Sequence, residues 1–104
     1  MKLIPSKSVY RVDRPPVKAQ VRVNDADAVV LRVNDADAVV LHTLMRIPPH
    51  ALADVPAQEI RLGVPVYYSY TFEPVADDAP EMQCLLHLYP APKEAYDLLL
   101  TYES

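Results

Sequence analysis

Proline spacing is the feature that most limits how this chain can fold. The 104 residues include eleven prolines and a single glycine, Gly63. Proline has no backbone N–H and disfavours helical backbone at the residue before it, so any helix must fit between two prolines. We therefore expect no long helix over most of the chain, and the lone glycine excludes a glycine-rich phosphate loop. The prolines are Pro5, Pro15, Pro16, Pro48, Pro49, Pro56, Pro65, Pro74, Pro80, Pro90 and Pro92.

Three segments between the prolines alternate with a period of two, namely 66–72, 83–89 and 96–102. Alternation in segments rich in aromatic and β-branched residues predicts half-buried strands. We expect the acidic loop 74–80 to join the first two strands and a hairpin over 90–95 to join the last two. One face of the first strand is predicted to carry Val66, Tyr68, Tyr70 and Phe72.

A ten-residue segment, RVNDADAVVL, occurs twice in tandem at 22–31 and 32–41. It can form strands that turn at each NDAD, or a helix capped by Asp27 or Asp37. Inserting an even number of residues into a strand keeps the following side chains on the same faces of the sheet. Inserting ten residues into a helix rotates the following side chains to ~80° short of whole turns, which moves them off the apolar stripe. The repeat therefore favours a meander, in which residues 17–23 pair with the first AVVL and that segment pairs with the second. Removing one copy keeps the flanking alternation.

These patterns together predict one domain over residues 1–104 that is mainly β. We expect a small antiparallel sandwich or barrel-like sheet of about six or seven strands. One short helical turn is predicted near 49–54, because Pro49 suits the first position of a helix.

Side chains that carry chemistry are scattered. A single cysteine, Cys84, cannot form an internal disulfide and fits a reducing compartment. Cys84 and His87 are three residues apart, so an alternating strand points them to opposite faces, and zinc sites need closer ligand pairs. We expect no enzyme activity, no catalytic or metal site and no cofactor. The remaining candidates, which we assign to solvated turns or the surface, are Asp25, Asp27, Asp35, Asp37, His42 and His50.

Charge and hydropathy limit the classes of partner that we expect for this chain. The net charge is −4 and lysines and arginines do not cluster, whereas binding a phosphate backbone needs several positive charges on one face. No run of ~18 apolar residues is present, which predicts no membrane span. The N-terminal residues lack an apolar stretch typical of a secretory signal.

The seven tyrosines either form a binding face or close the core with their hydroxyls at the surface. An added strand would also offer unpaired backbone groups to another chain. The predicted protein-contact residues are Tyr67, Tyr68, Tyr70, Arg32 and Val30.

The C-terminal part carries three linked motifs: Leu62–Tyr68 (LGVPVYY), Leu86–Pro92 (LHLYPAP) and Tyr96–Tyr102 (YDLLLTY). This string resembles the β-domain of head-to-tail adaptor and tail-tube-associated proteins of tailed bacteriophages. The resemblance extends over roughly residues 9–104 and is most specific over the last 43, and the tandem repeat lies outside the pattern.

The resemblance implies a non-enzymatic structural protein of a phage particle, of the head–tail connector type. It would act by self-association or by binding other virion proteins, in the virion or the host cytoplasm. The alternative is a small β-module that binds a peptide or protein partner through a sheet edge or a tyrosine-rich face.

Overall fold

The structure, a computed structural model, describes residues 1–24, 39–53 and 62–103. These ranges contain a four-stranded sheet in the order β1-β7-β6-β4, a three-stranded sheet in the order β3-β2-β9, and a β5-β8 pair. The elements are β1 (Val9–Val12), β2 (Lys18–Asn24), β3 (Val39–Thr43), β4 (Met45–Arg46), α1 (Pro49–Ala53), β5 (Leu62–Gly63), β6 (Tyr67–Pro74), β7 (Met82–Tyr89), β8 (Ala91–Pro92) and β9 (Asp97–Thr101).

The protein is mainly β, as predicted, and the two larger sheets pack around one core. The described residues hold nine strands rather than six or seven, because three two-residue strands add to the six longer ones. The predicted helical turn is α1, which begins at Pro49. The core cluster draws on both sheets and on the N-terminus: Leu3, Tyr10, Val12, Ala19, Val21, Val23, Leu44, Tyr68, Cys84, Leu86, Leu88, Tyr96 and Leu98.

In the part of the chain that the structure describes, no helix is both long and apolar enough to cross a membrane.

Strands β6 and β7 form an antiparallel hairpin, as the sequence predicted for the acidic loop. Tyr67 lies opposite Tyr89 and Pro74 lies opposite Met82. Strand β7 alternates strictly, with its even-numbered side chains from Cys84 to Leu88 buried. Since β7 pairs with β1 on one side and β6 on the other, it has no free edge.

The predicted hairpin between 83–89 and 96–102 is wrong. Strand β9 pairs antiparallel with β2 in the other sheet, with Leu98 opposite Val21. The physical reason is that both edges of β7 are already occupied. The chain therefore crosses to the second sheet through β8, where β9 buries Leu98 against the core.

The repeat pairs differently from the predicted meander. Strand β2, which ends in the first copy, pairs directly with β3, which begins in the second copy: Val23 lies opposite Val40 and Asn24 opposite Val39. The other neighbour of β2 is β9, so both edges of β2 are occupied by described strands. The first AVVL segment, 28–31, lies outside the described residues. Both copies of AVVL offer β2 the same side chains, so sequence alone does not select between them. Apart from Asn24, the two NDAD segments lie outside the described residues.

The prediction of which β6 side chains are buried is confirmed only in part. Tyr68 is in the core and Tyr70 packs against it, but Val66 and Phe72 are exposed. Ser69, predicted for the other face, is buried. Alternation sets the direction of a side chain, whereas its burial depends on whether another element covers that position.

Candidate protein-contact surface

Strand β4 is short because of the residues that follow it. Its parallel pairing with β6 includes bonds from the Met45 N–H to the Val66 carbonyl and from the Ile47 N–H to the Tyr68 carbonyl, both 2.9 Å. In a parallel ladder the next donor on this side is two residues further on, at Pro49. Proline has no N–H, so the ladder stops, and Pro49 begins helix α1 instead.

Among the described residues, most of β6 has no neighbouring strand on this side. Strand β6 has eight residues, but only Tyr67 and Tyr68 pair with β4. Backbone groups alternate in direction along a strand, so those of Tyr70 and Phe72 point the same way as the Tyr68 carbonyl. No strand in the described ranges pairs with them there. We call this outward side of Tyr70–Pro74 the β6 edge.

Arg46 lies at the start of the β6 edge. Its Nη2 donates to the Tyr70 hydroxyl at 2.5 Å, and its guanidinium carbon is 4.6 Å from the centre of the Tyr70 ring. This stacking combines a hydrogen bond with a cation–π contact. Among the described residues the only ion pair is between Lys2 and Asp97, so Arg46 has no carboxylate partner there. Within the described ranges, Arg46 is therefore a positioned cation without an ion-pair partner.

Apolar side chains continue from the β6 edge to the end of the hairpin. Phe72 is 54% exposed and makes an edge-to-face contact with Tyr70, with ring centres 6.0 Å apart. Val75 and Met82 are 41% and 57% exposed. Isolated exposed hydrophobic residues are ordinary, but a group beside an unpaired sheet edge is typical of a contact surface.

A cavity of about 370 Å³ opens where β4 leaves β6. Ser69 is 1% exposed there, and its hydroxyl has no hydrogen-bond partner among the described residues. A buried polar atom without a partner costs free energy, so this hydroxyl is a ready partner for an incoming group. The lining residues are Arg46, Ile47, Pro48, Pro49, Ser69 and Tyr70.

Cys84 and Tyr68 of the hairpin are buried, and His87 is half-buried. The His87 Nε2 and the Thr71 hydroxyl are 2.8 Å apart, next to α1. Cys84 is buried, and this burial raises the pKa of its thiol, which lowers the fraction of reactive thiolate. Burial likewise raises the pKa of Tyr68, with Arg46 acting in the opposite direction. Across the described ranges, no group of three His, Cys, Asp or Glu residues is placed to hold a metal ion.

Of the predicted contact residues, the structure describes Tyr67, Tyr68 and Tyr70. Tyr70 lies at the β6 edge, and Tyr67 is half-buried earlier in the same strand. Tyr68 is 2% exposed, so its assignment as a contact residue is corrected: its ring fills the core. Arg32 and Val30 lie outside the described residues.

Sequence reasoning missed Arg46 and Phe72. The signal for the open edge was present in Pro48–Pro49, which must end any strand before them. Its meaning depended on knowing that β4 runs parallel to β6, and alternation does not give strand partners.

Comparisons with protein-family models, with curated proteins and with solved structures found no match to this chain.

Proposed function

We propose that this chain is a non-enzymatic assembly protein that binds another polypeptide by strand addition at the β6 edge. The observation that carries the proposal is the early end of β4: two residues of β4 pair with an eight-residue strand, and Pro49 cannot supply the next donor. An incoming extended segment would satisfy the outward groups of Tyr70 and Phe72 with main-chain hydrogen bonds, which supply affinity.

The β6 edge lacks most devices that natural sheets use to prevent unwanted pairing. Such edges are commonly blocked by a lysine, by a proline, by a bulge or by an inward-pointing charge. The proline here, Pro74, is the last residue of the edge and leaves the N–H groups of Tyr70 and Phe72 in place. Here Glu73 is the one charged side chain between Tyr70 and Pro74, and it is exposed. Phe72 instead presents an aromatic ring beside the open backbone. This arrangement favours a strand-addition site over a passive surface.

In biological terms we propose a structural protein of a tailed-phage particle, of the head–tail connector type. The support is the resemblance of the three C-terminal motifs. Two of them meet in space, because β5 of the first pairs with β8 of the second: Leu62 lies opposite Ala91 and Gly63 opposite Pro92. The third motif contains β9. Portal and terminase genes beside the coding gene are the expected context, and a stable position among unrelated genes would contradict this role.

The second candidate is a β-module that binds a peptide or protein of other origin. It is favoured by the cavity at the start of the β6 edge, where Arg46 and the unpartnered Ser69 hydroxyl face a single small space. Both candidates use the same edge. They differ in whether the chain assembles into particles or binds one partner as a monomer.

Proline substitution tests strand addition. In Phe72→Pro the lost N–H points outward, so the β6–β7 ladder keeps its bonds while the edge loses a donor. We expect this variant to retain a cooperative thermal transition and to lose association in sedimentation velocity experiments. Phe72→Ala, which keeps the N–H, separates the backbone effect from loss of the ring.

Thr71→Pro is the matched positional control. Its N–H points toward β7, so we expect it to destabilise the fold itself. If the Phe72→Pro variant associates as strongly as the wild-type chain, this result would contradict strand addition at this edge.

A further inference from the structure

We propose that the polypeptide added to the β6 edge is a second copy of this chain, paired antiparallel about a two-fold axis with Phe72 opposite Phe72. This inference rests on the proposed strand addition and names its partner. The two hairpins would then form one continuous sheet in the order β1-β7-β6-β6-β7-β1, with no open edge between the copies.

The hydrogen-bonding groups of the edge fit this register. Each Phe72 N–H would donate to the Phe72 carbonyl of the other copy, and each Tyr70 N–H to the opposite Pro74 carbonyl. A register with Tyr70 opposite Phe72 would place the last strand residue, Pro74, opposite Tyr68, where β4 already pairs. In the proposed register β6 has ended by that position, and a residue of the exposed loop falls there instead. Pro74 has no N–H, so the ladder ends there.

The side chains of the edge also suit a second copy. Residues opposite one another in an antiparallel pair lie on the same face of the sheet, so the two Phe72 rings would come together. Phe72 is 54% exposed in the single chain and already contacts Tyr70. A group of Tyr70 and Phe72 from both copies would remove the exposed aromatic surface from water.

Charge complementarity is the strongest argument for a second copy. With Phe72 opposite Phe72, residue 76 of one copy falls opposite Tyr68 of the other, where Arg46 lies. The exposed acidic loop that contains Asp77 and Asp78 therefore approaches Arg46. Within the described ranges, these three side chains have no ion-pair partner in the single chain.

A second cation stands close by. Arg14 and Arg46 line one cavity of about 460 Å³, which Glu103 also lines. Neither arginine forms an ion pair with Glu103 in the described residues. The dimer would bring opposite charges together at both ends of the shared edge, although the whole chain carries a net charge of −4. A two-fold contact closes on itself, so larger particles would grow from this dimer through other surfaces.

Complementary charge reversal tests the pairing. We would prepare Arg46→Glu as one chain and Asp77→Lys/Asp78→Lys as another, and measure each alone and mixed by sedimentation equilibrium. In either homodimer both contacts become repulsive, whereas in the mixed dimer both are attractive. We expect wild type to dimerise, each variant alone to lose at least tenfold in association, and the mixture to recover it.

The controls keep the test independent of folding. Glu94→Lys reverses an exposed charge away from the β6 edge and should leave association unchanged. If Arg46→Glu lacks a cooperative thermal transition, Arg46→Ala takes its place and is measured alone, and it should also lose association. Variants that associate like wild type, or a mixture that remains monomeric, would overturn the inference.

A wild-type chain that remains monomeric would also overturn the inference. Protection of the Phe72 amide by a different polypeptide would then leave strand addition standing, so the two proposals fail separately.

Discussion

The Arg46 guanidinium is stacked on the Tyr70 ring at 4.6 Å and donates to its hydroxyl. This contact lies where β4 ends, beyond which no other described strand pairs with that side of β6. The contact places a cation beside an open sheet edge without burying it. Arg46 therefore contributes to what the edge attracts more than to how the chain folds.

Replacing Arg46 should separate these two roles. We expect Arg46→Ala to lower the free energy of unfolding by less than about 1 kcal/mol, because exposed cation–π and hydrogen-bond contacts are weak. Association should fall while the fold persists. Denaturant unfolding and sedimentation measure the two effects. Tyr70→Phe, which keeps the ring and removes the acceptor, is the matched variant, and a large loss of stability in both would argue for a structural role.

The buried hydroxyl of Ser69 predicts a stabilising substitution. Since it has no partner among the described residues, Ser69→Ala should raise the free energy of unfolding by about 1 kcal/mol. Thr71→Val should have the opposite effect, of similar size, because it removes the 2.8 Å contact with His87. Chemical denaturation of the two variants beside wild type provides the comparison. A destabilised Ser69→Ala would mean that the hydroxyl has a partner in the folded chain.

Burial of Cys84 predicts a loss of stability in alkali. The ordinary pKa of this thiol is 9.0, and burial raises it in the folded state. Above the unfolded pKa the unfolded chain has lost the proton that the folded chain keeps, so stability falls as pH rises. Tyr68, whose pKa burial raises from 10.0, adds to the fall at higher pH.

Unfolding curves from neutral to alkaline pH test this prediction. We expect the decline to begin near pH 9 and to be shallower in Cys84→Ala, which has no thiol to titrate. Alkylation of Cys84 in native protein should also be slow. Parallel pH profiles for the two proteins would show that the thiol contributes nothing.

The repeat predicts a stable shorter protein. Fourteen residues, 25–38, lie between the paired residues Asn24 and Val39. Deleting 29–38 gives the same sequence as deleting either whole copy, because the copies are identical. The 104 residues less ten leave 94 and join β2 to β3 through the four residues Asp25–Ala28, a length common in hairpins.

We expect this deletion to raise the free energy of unfolding by about 1 kcal/mol, because closing a shorter connection costs less conformational entropy. Thermal and denaturant unfolding of the two chains test this. The substitution Val21→Ala, made in the 104-residue and the 94-residue chain, should lower the free energy of unfolding of each by a similar amount, because Val21 occupies the same core position in both. Loss of the cooperative transition in the 94-residue chain would mean that the second copy fills a place in the core.

The sequence predicts elements better than it predicts partners. Period-two alternation and tyrosine content identified the strands that became β6, β7 and β9, and Pro49 marked the start of α1. The pairing of β9 with β2 was not predictable, because alternation gives the facing of a strand and not its neighbour. The open edge at Tyr70 followed from a missing donor at Pro49, which has meaning only once the parallel partner is known.

Amide hydrogen exchange measured at low and high protein concentration tests the central claim most directly. The N–H groups of Ser69 and Thr71 point toward β7 and should be protected at both concentrations. The N–H groups of Tyr70 and Phe72 point outward and should exchange rapidly in dilute protein, then become protected as copies associate. Protection of Tyr70 and Phe72 at the lowest concentration, or rapid exchange in an assembly that has formed, would contradict the account.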